Sequence, residues 1–179
     1  MKKLILTLAL ALMVTLGISS TGWSADSVKI GIINFEKIMQ ESSAGKLGQQ
    51  ELKKKGEALK AKLEAEKDNL EKIRKGFERE FLVLSPEKKK EKERDFRIRV
   101  NDFNRMKNDA ANELKSLEIS LVNKMQKSVF LIAKEVGEKA GYTLILEKKN
   151  AGVIFMDSTV DLTDRVIKTY NAQQAKAAN

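Results

Sequence analysis

The chain has 179 residues with 34 Lys+Arg against 25 Asp+Glu, a formal net charge of +9, and it contains no Cys and no His. Disulfide staples, thiol catalysis, His-based metal sites and Ser-His relays are therefore excluded.

Met1-Lys2-Lys3 leads into an apolar run from Leu4 to Ile18 interrupted by Thr7, Thr15 and Gly17. A basic start, a short apolar core and small residues beyond it form the pattern of a secretory signal peptide. The run is short for a membrane span, and Ser19, Ser20, Thr21 and Gly22 stand where a stop-transfer sequence would place a basic anchor. Gly22-Trp23-Ser24 offers small side chains at the −3 and −1 positions, so residues 1–24 are expected to be removed by cleavage after Ser24. No Cys is present to carry a lipid, and no later apolar stretch approaches about 18 residues, so the exported chain is expected to be soluble. Cleavage leaves 32 Lys+Arg and 25 Asp+Glu, a net charge of +7, and takes away the only Trp.

Residues 28–33, Val-Lys-Ile-Gly-Ile-Ile, are β-rich and predict a strand, after which Asn34 can cap a brief helix through Phe35, Ile38 and Met39. Ser42-Ser43-Ala44-Gly45 reads as a polar break. From about Lys46 the composition turns to Lys, Glu, Ala and Leu, which is that of a long helix. Leu63, Leu70, Phe77 and Leu84 fall seven apart, and Leu52, Leu59 and Ile73 keep a second seven-spaced register. This is a coiled-coil seam, loosened by Gly56, Glu66 and Glu80 at seam positions. Gly45, Gly48 and Gly56 near its root are candidate hinges.

The only Pro lies in Leu84-Ser85-Pro86-Glu87, where Ser85 suits an N-cap, Pro86 the first helical position and Glu87 the positive end of the helix dipole. The chain is expected to reverse here. A second helix is predicted from Pro86 to about Lys139, because its apolar residues from Phe96 through Val100, Phe103, Met106, Ala110, Leu114, Leu117, Leu121, Met125, Val129 and Ile132 to Val136 step by threes and fours. A helix of about 40 residues extends about 60 Å, so the pair must project as an arm. Gly141 closes the helix; residues 142–146 and 153–156, joined by a polar turn, read as a β-hairpin, and Asp161-Leu162-Thr163-Asp164 opens a last helix.

The fold class is thus α+β: a small body with three strands per chain and a long, projecting coiled-coil hairpin. Residues 25–44 and 115–179 form the β-containing body, and residues 45–114 the arm, with its tip near 82–87. The three strands are apolar on both faces, so one face needs a cover that a single chain cannot supply. Ile30, Ile32, Leu144, Leu146, Val153 and Phe155 are the candidate residues of an oligomerisation body.

In order and spacing these elements resemble the Skp/OmpH family over essentially the whole mature chain. The resemblance is carried by Lys29-Ile30-Gly31-Ile32-Ile33-Asn34 with Glu41-Ser42-Ser43-Ala44-Gly45-Lys46, and by Gly141-Tyr142-Thr143-Leu144-Ile145-Leu146 with Asp161-Leu162-Thr163-Asp164-Arg165-Val166-Ile167. It implies a periplasmic homotrimer in which strands from three chains form a central barrel. It also implies three arms enclosing a cavity that holds unfolded outer-membrane β-barrel proteins and prevents their aggregation in transit. Lipopolysaccharide or an anionic membrane surface is a further partner that the resemblance brings, with no residue assigned to it.

The residues themselves locate charge on the arm. Residues 45–110 hold 20 Lys+Arg and 14 Asp+Glu, and residues 72–99 hold 11 and 6. Lys72, Arg74, Lys75, Arg79, Lys88, Lys89, Lys90, Lys92, Arg94, Arg97 and Arg99 are the candidate electrostatic collar. The ordinary alternative is a solvated helix face balanced by i,i+4 pairs. Phe77, Phe81, Leu82, Val83, Leu84 and Phe96 crowd the tip with more apolar surface than a two-helix seam hides, which marks either client contact or a knot that closes the hairpin. No phosphate-cradling glycine loop is present, so no nucleotide and no cofactor is expected, and the chain does not read as an enzyme. The competing readings are a basic envelope protein that binds polyanions and a coiled-coil spacer. Interleaved acids and a signal peptide argue against specific nucleic-acid binding.

Overall fold

The structure is a computed structural model that describes residues 28–177. The expected signal peptide and its cleavage site lie outside the described residues. In chain order the elements are β1 (Ile30–Ile33), α1 (Phe35–Glu41), α2 (Ser43–Glu80), α3 (Pro86–Lys139), β2 (Leu144–Glu147), a 3₁₀ turn (Ser158–Val160) and α4 (Thr163–Ala177). The expected α+β class with a long helical hairpin is what the chain adopts.

Local chemistry sets the corners. Asn34 Oδ1 accepts a hydrogen bond from Lys37 N at 3.0 Å and so caps α1. Ser42 does two jobs: its N–H donates to Ile38 O at 3.0 Å, ending α1, and its Oγ accepts from Gly45 N at 3.1 Å, starting α2. The predicted four-residue polar break is therefore a one-residue corner. Gly45 is buried in it, and a Cβ there would lie 1.9 Å from the backbone carbonyl oxygen of Met39. It is the glycine of a close approach and not a hinge, since the space around it is already filled.

β1 pairs with β2 in parallel, with Ile30 opposite Leu144 and Ile33 opposite Glu147. A parallel pair needs a long crossover, and both arm helices lie within it. On the other edge of β1, Asp161 bridges Ile32, and Leu162 N donates to Ile32 O at 2.8 Å. The predicted hairpin between 142–146 and 153–156 is not formed. Residues 153–156 turn away after Val153 N bonds Lys148 O at 3.1 Å, because the chain must cross to the far edge of β1 to deliver Leu162. Ile154 and Phe155 are left 101% and 87% exposed on the way.

The core gathers both ends of the chain around the last part of α3. Met125, Val129, Ile132, Ala133 and Val136 of α3 pack with Ile33, Ile38, Leu162, Val166 and Tyr170. Ile38, Val129 and Val166 are fully buried. The three-and-four spacing of the α3 residues gives the helix one apolar face, and each fully buried aliphatic side chain contributes about 1.5–3 kcal/mol. Helix α3 ends where Gly141 takes φ 68°, a left-handed conformation suited to glycine, and Tyr142 N bonds back to Gly137 O at 2.9 Å.

Replacing Gly45 with Ala is expected to destabilise the protein by about 1–3 kcal/mol through the overlap with the Met39 carbonyl. Gly76→Ala, at a helical position with open space around it, is expected to stabilise α2 by about 0.5–1 kcal/mol. Urea unfolding followed by far-UV circular dichroism at fixed chain concentration separates the two directions.

Candidate functional site

Away from the core, α2 and α3 run against each other as a free hairpin. At 1.5 Å per residue the 38-residue α2 is about 57 Å long and the 54-residue α3 about 81 Å. The seam follows the expected registers, with Leu52, Leu59, Leu63, Ile73 and Phe77 half-buried against Phe96, Val100, Phe103, Met106, Leu114 and Leu121. Among the described residues from 46 to 124, only Leu70 and Ala110 are buried. Where Gly56 faces Leu114, an open groove of about 700 Å³ runs past Leu52 and Ala111. One ion pair, Lys55 with Glu113 at 2.5 Å, crosses this part of the seam. The arm is thus held together by a thin, half-wet line of contacts.

At the tip, α2 ends at Glu80, residues 81–84 turn, and Ser85 begins α3 by accepting a hydrogen bond from Lys88 N at 3.3 Å. Pro86 sits at the start of the helix, and the Glu87 carboxyl is held below its usual pKa by the backbone N–H of Glu87 itself and by Ser85. The six apolar residues expected here divide into two groups. Phe77, Leu84 and Phe96 are half-buried in the hairpin closure, while Phe81, Leu82 and Val83 are 41%, 89% and 85% exposed. Phe77 and Phe81 meet edge to face with centroids 5.6 Å apart, and the Lys89 amine lies 4.4 Å from the Phe81 centroid. Such a cation–π contact contributes about 0.5–1 kcal/mol at an exposed site.

The basic residues of the distal arm also divide. Arg74 pairs with Glu78, Lys75 with Glu71, Lys88 with Glu91, Lys92 with Glu80, and Arg94 with Asp95. The Lys75 and Lys88 amines hold the Glu71 and Glu91 carboxyls below the usual range, chiefly through their hydrogen bonds. Lys72, Arg79, Lys89, Lys90, Arg97 and Arg99 form no ion pair among the described residues. The first group is the balanced helix face of the ordinary reading, and the second leaves uncompensated positive charge near the tip.

The residues expected to form an oligomerisation body are not equivalent. Ile32 is buried within its own chain, Leu146 and Val153 are half-buried, and Ile30, Leu144 and Phe155 are exposed. Leu144 lines an apolar groove of about 380 Å³ together with Phe130, Ala133, Tyr142 and Ile145. Phe130 and Leu131, and on the arm Leu47, Ile98 and Ile119, are exposed apolar residues that the sequence reading passed over. The signal was present: Ile98, Ile119, Phe130 and Leu131 fall between the three-and-four steps of α3 and so off its buried row. No group of three or more His, Cys, Asp or Glu among the described residues is placed to hold a metal ion, and no described helix is long and apolar enough to cross a membrane.

The fold and its open surfaces define a class: a small mixed body carrying a projecting antiparallel helical hairpin. Residues 29–170 match the family model described as Outer membrane protein (OmpH-like). The chain belongs to that family. Among solved structures it is similar to a candidate outer membrane chaperone (OmpH-like) from Caulobacter crescentus CB15, with a TM-score of 0.76 and 16% identity over 80% of this chain and 84% of that one. A search of curated protein sequences gives no significant match.

Ser85→Ala is expected to fray the first turn of α3 at a cost of about 1 kcal/mol, since the Lys88 N–H loses its acceptor. Amide hydrogen exchange should then speed up at residues 87–90 and stay unchanged at the body residues Val129–Val136.

Proposed function

We propose that the protein is a periplasmic, nucleotide-independent holdase chaperone, which keeps unfolded outer-membrane β-barrel proteins from aggregating by holding them between the arms of a homotrimer. The observation that carries this reading is an arm whose shorter helix alone is about 57 Å long and which adds almost nothing to the core of its own chain, so its length is available to something else. Membership of the OmpH-like family and the Caulobacter chaperone-like fold support it.

An unfolded client presents no fixed shape, so a holding surface works through many weak and non-directional contacts. The arm offers scattered apolar groups, Ile98 on its side and Phe81, Leu82 and Val83 at its tip, set among charges of both signs. Long-range attraction from the unpaired cations would assist capture of acidic clients and weaken with salt. Release then needs no large energy input, and no covalent step or cofactor is part of the cycle.

The body supports assembly because it carries both halves of a contact. One chain displays the exposed Ile154-Phe155 pair and, elsewhere, the groove lined by Phe130, Leu144 and Ile145. A surface that fits a different surface of an identical copy makes a head-to-tail contact, which closes as a ring when the rotation permits. In this reading residues 153–156 add as a strand to a neighbouring copy, which is why they find no partner at home.

Two experiments test the proposal. Mature protein, free of Trp, is titrated into a urea-unfolded, Trp-containing outer-membrane protein on dilution, with Trp fluorescence and light scattering read together. Suppressed scattering with saturation at one client per three chains, unchanged by ATP, is expected; aggregation that proceeds regardless contradicts a holdase. Serine at Phe81, Leu82, Val83 and Ile98 together is expected to weaken client affinity by about tenfold or more while the assembly persists. Separately, Phe155→Asp is expected to convert a trimer into monomers in analytical ultracentrifugation, and a wild-type chain that sediments as a monomer contradicts the assembly.

A further inference from the structure

The two faces of the arm's seam differ in chemistry. On one, Lys62, Asp102, Arg105, Asp109 and Glu113 line the contact, and Lys55 reaches across to Glu113. The other holds the open groove beside Gly56, to which α2 contributes residues 49, 52, 53 and 56 and α3 residues 111, 114, 115 and 118. Each set spans two turns of its helix, about 10 Å. Leu52 and Leu114 give the groove its apolar floor, and the two smallest residues of the set, Gly56 and Ala111, hold it open. A Cβ placed on Gly56 would meet Leu114 Cδ2 at 3.8 Å, so a methyl fits between the helices without displacing anything. One lysine from each helix stands on the rim. Lys53 is 77% exposed and approaches Glu57 no closer than 3.9 Å, and Lys115 forms no ion pair among the described residues.

We infer that this groove is a subsite for the aromatic side chains of an unfolded client, a selectivity that rests on the holdase reading and goes beyond it. A slot opened by Gly56 and Ala111 presents helix backbone and a single methyl, flat surfaces against which a planar ring can lie. The rim suits the other side of the ring, because an ammonium group is attracted to an aromatic face and has no such attraction to an aliphatic side chain. This chain already makes that pairing twice, with the Lys29 amine 4.2 Å from the Tyr142 centroid and the Lys89 amine 4.4 Å from that of Phe81. The matching chemistry is abundant in the client class: transmembrane β-barrels carry girdles of aromatic residues at both membrane interfaces, so their unfolded chains present rings at short intervals. A Leu of the client can reach the apolar floor but gains nothing from Lys53 and Lys115. Each ring binds weakly and leaves easily, and several arms acting on many rings add their contacts by avidity.

The test separates selectivity from holding by using two urea-unfolded probes with the Trp-free mature protein. One is an outer-membrane β-barrel protein; the other is the same protein with its girdle aromatics changed to Leu, apart from one Trp kept as the fluorescent reporter. Wild type should bind the aromatic probe about fivefold more tightly. Ala111→Leu, at an exposed position, fills the groove and should bring that ratio to about one without loss of affinity for the Leu-substituted probe. Gly56→Ala should lower the ratio as well, whereas Gly76→Ala, which favours the same helix where no side chain is near, should leave it unchanged. Lys115→Gln should weaken binding of the aromatic probe alone, by about two- to fivefold. Because the chain has no Cys, a nitroxide can be attached singly to Glu118→Cys at the rim or to Lys62→Cys on the charged face, and the first should quench the Trp residues of the aromatic probe more strongly. Equal wild-type affinity for both probes, a preference that survives Ala111→Leu, or equal quenching from position 62 would overturn the inference and leave the holdase reading standing. Wild type that holds neither probe would overturn both.

Discussion

Everything in this fold hangs on one helix serving two structures. The end of α3, from Met125 to Val136, is the centre of the body's core, while the same unbroken helix continues outward as half of the arm. Burial of Val129, Ile132 and Val136 against Ile38, Leu162 and Val166 therefore fixes the direction of the arm as well as the stability of the body. Because the helix is continuous, bending at the root has to disturb its hydrogen-bond ladder, so α3 acts as the stiff member of the pair. The second helix is attached differently. It begins at a corner that Ser42 and Gly45 make tight, and its later glycines, Gly48 and Gly56, lie across from Leu121 and Leu114 with only ordinary contact distances to spare.

The division of burial between body and arm follows from that attachment. Beyond the core, apolar residues occur about twice per seven on each helix, enough for a seam, but two helices in water cannot close over such a seam as a third would. Leu70 and Ala110 are buried and the rest of the seam is half open. The exposed ion pairs, such as Arg74 with Glu78, contribute little individually. A surface of this kind is marginal as a structural element and serviceable as an adaptable one: it can change its contacts at small cost, which is what a shapeless partner demands.

Much of this was legible from residue order. The long apolar row of α3, the Ser85-Pro86 reversal and the seven-spaced leucines of α2 are local signals whose physics is local too, and their elements formed where expected. The pairing of the strands was not legible, because a run such as residues 142–146 is equally compatible with a hairpin partner ten residues away and with a parallel partner more than a hundred residues back. The choice was made by Leu162, which has to reach the far edge of β1, and residues 153–156 are consumed by the crossing. Gly45 was similarly opaque: a helical glycine reads as flexible until the Met39 carbonyl beside it is seen. At the tip, composition gave the apolar and basic residues but not their division into a closure of Phe77, Leu84 and Phe96 and an outward group of Phe81, Leu82 and Val83.

The central claim is that the arm, not the body, is the surface on which a client is held. Photo-crosslinking addresses it most directly, with a photoreactive side chain placed singly at Ile98, at Leu63 on the seam, and at Ile154 on the body, each mixed with an unfolded outer-membrane protein. The account predicts strong client adducts from position 98, fewer from 63, and adducts between copies of the chain itself from 154. Client adducts concentrated at position 154, with none from the arm, would contradict it.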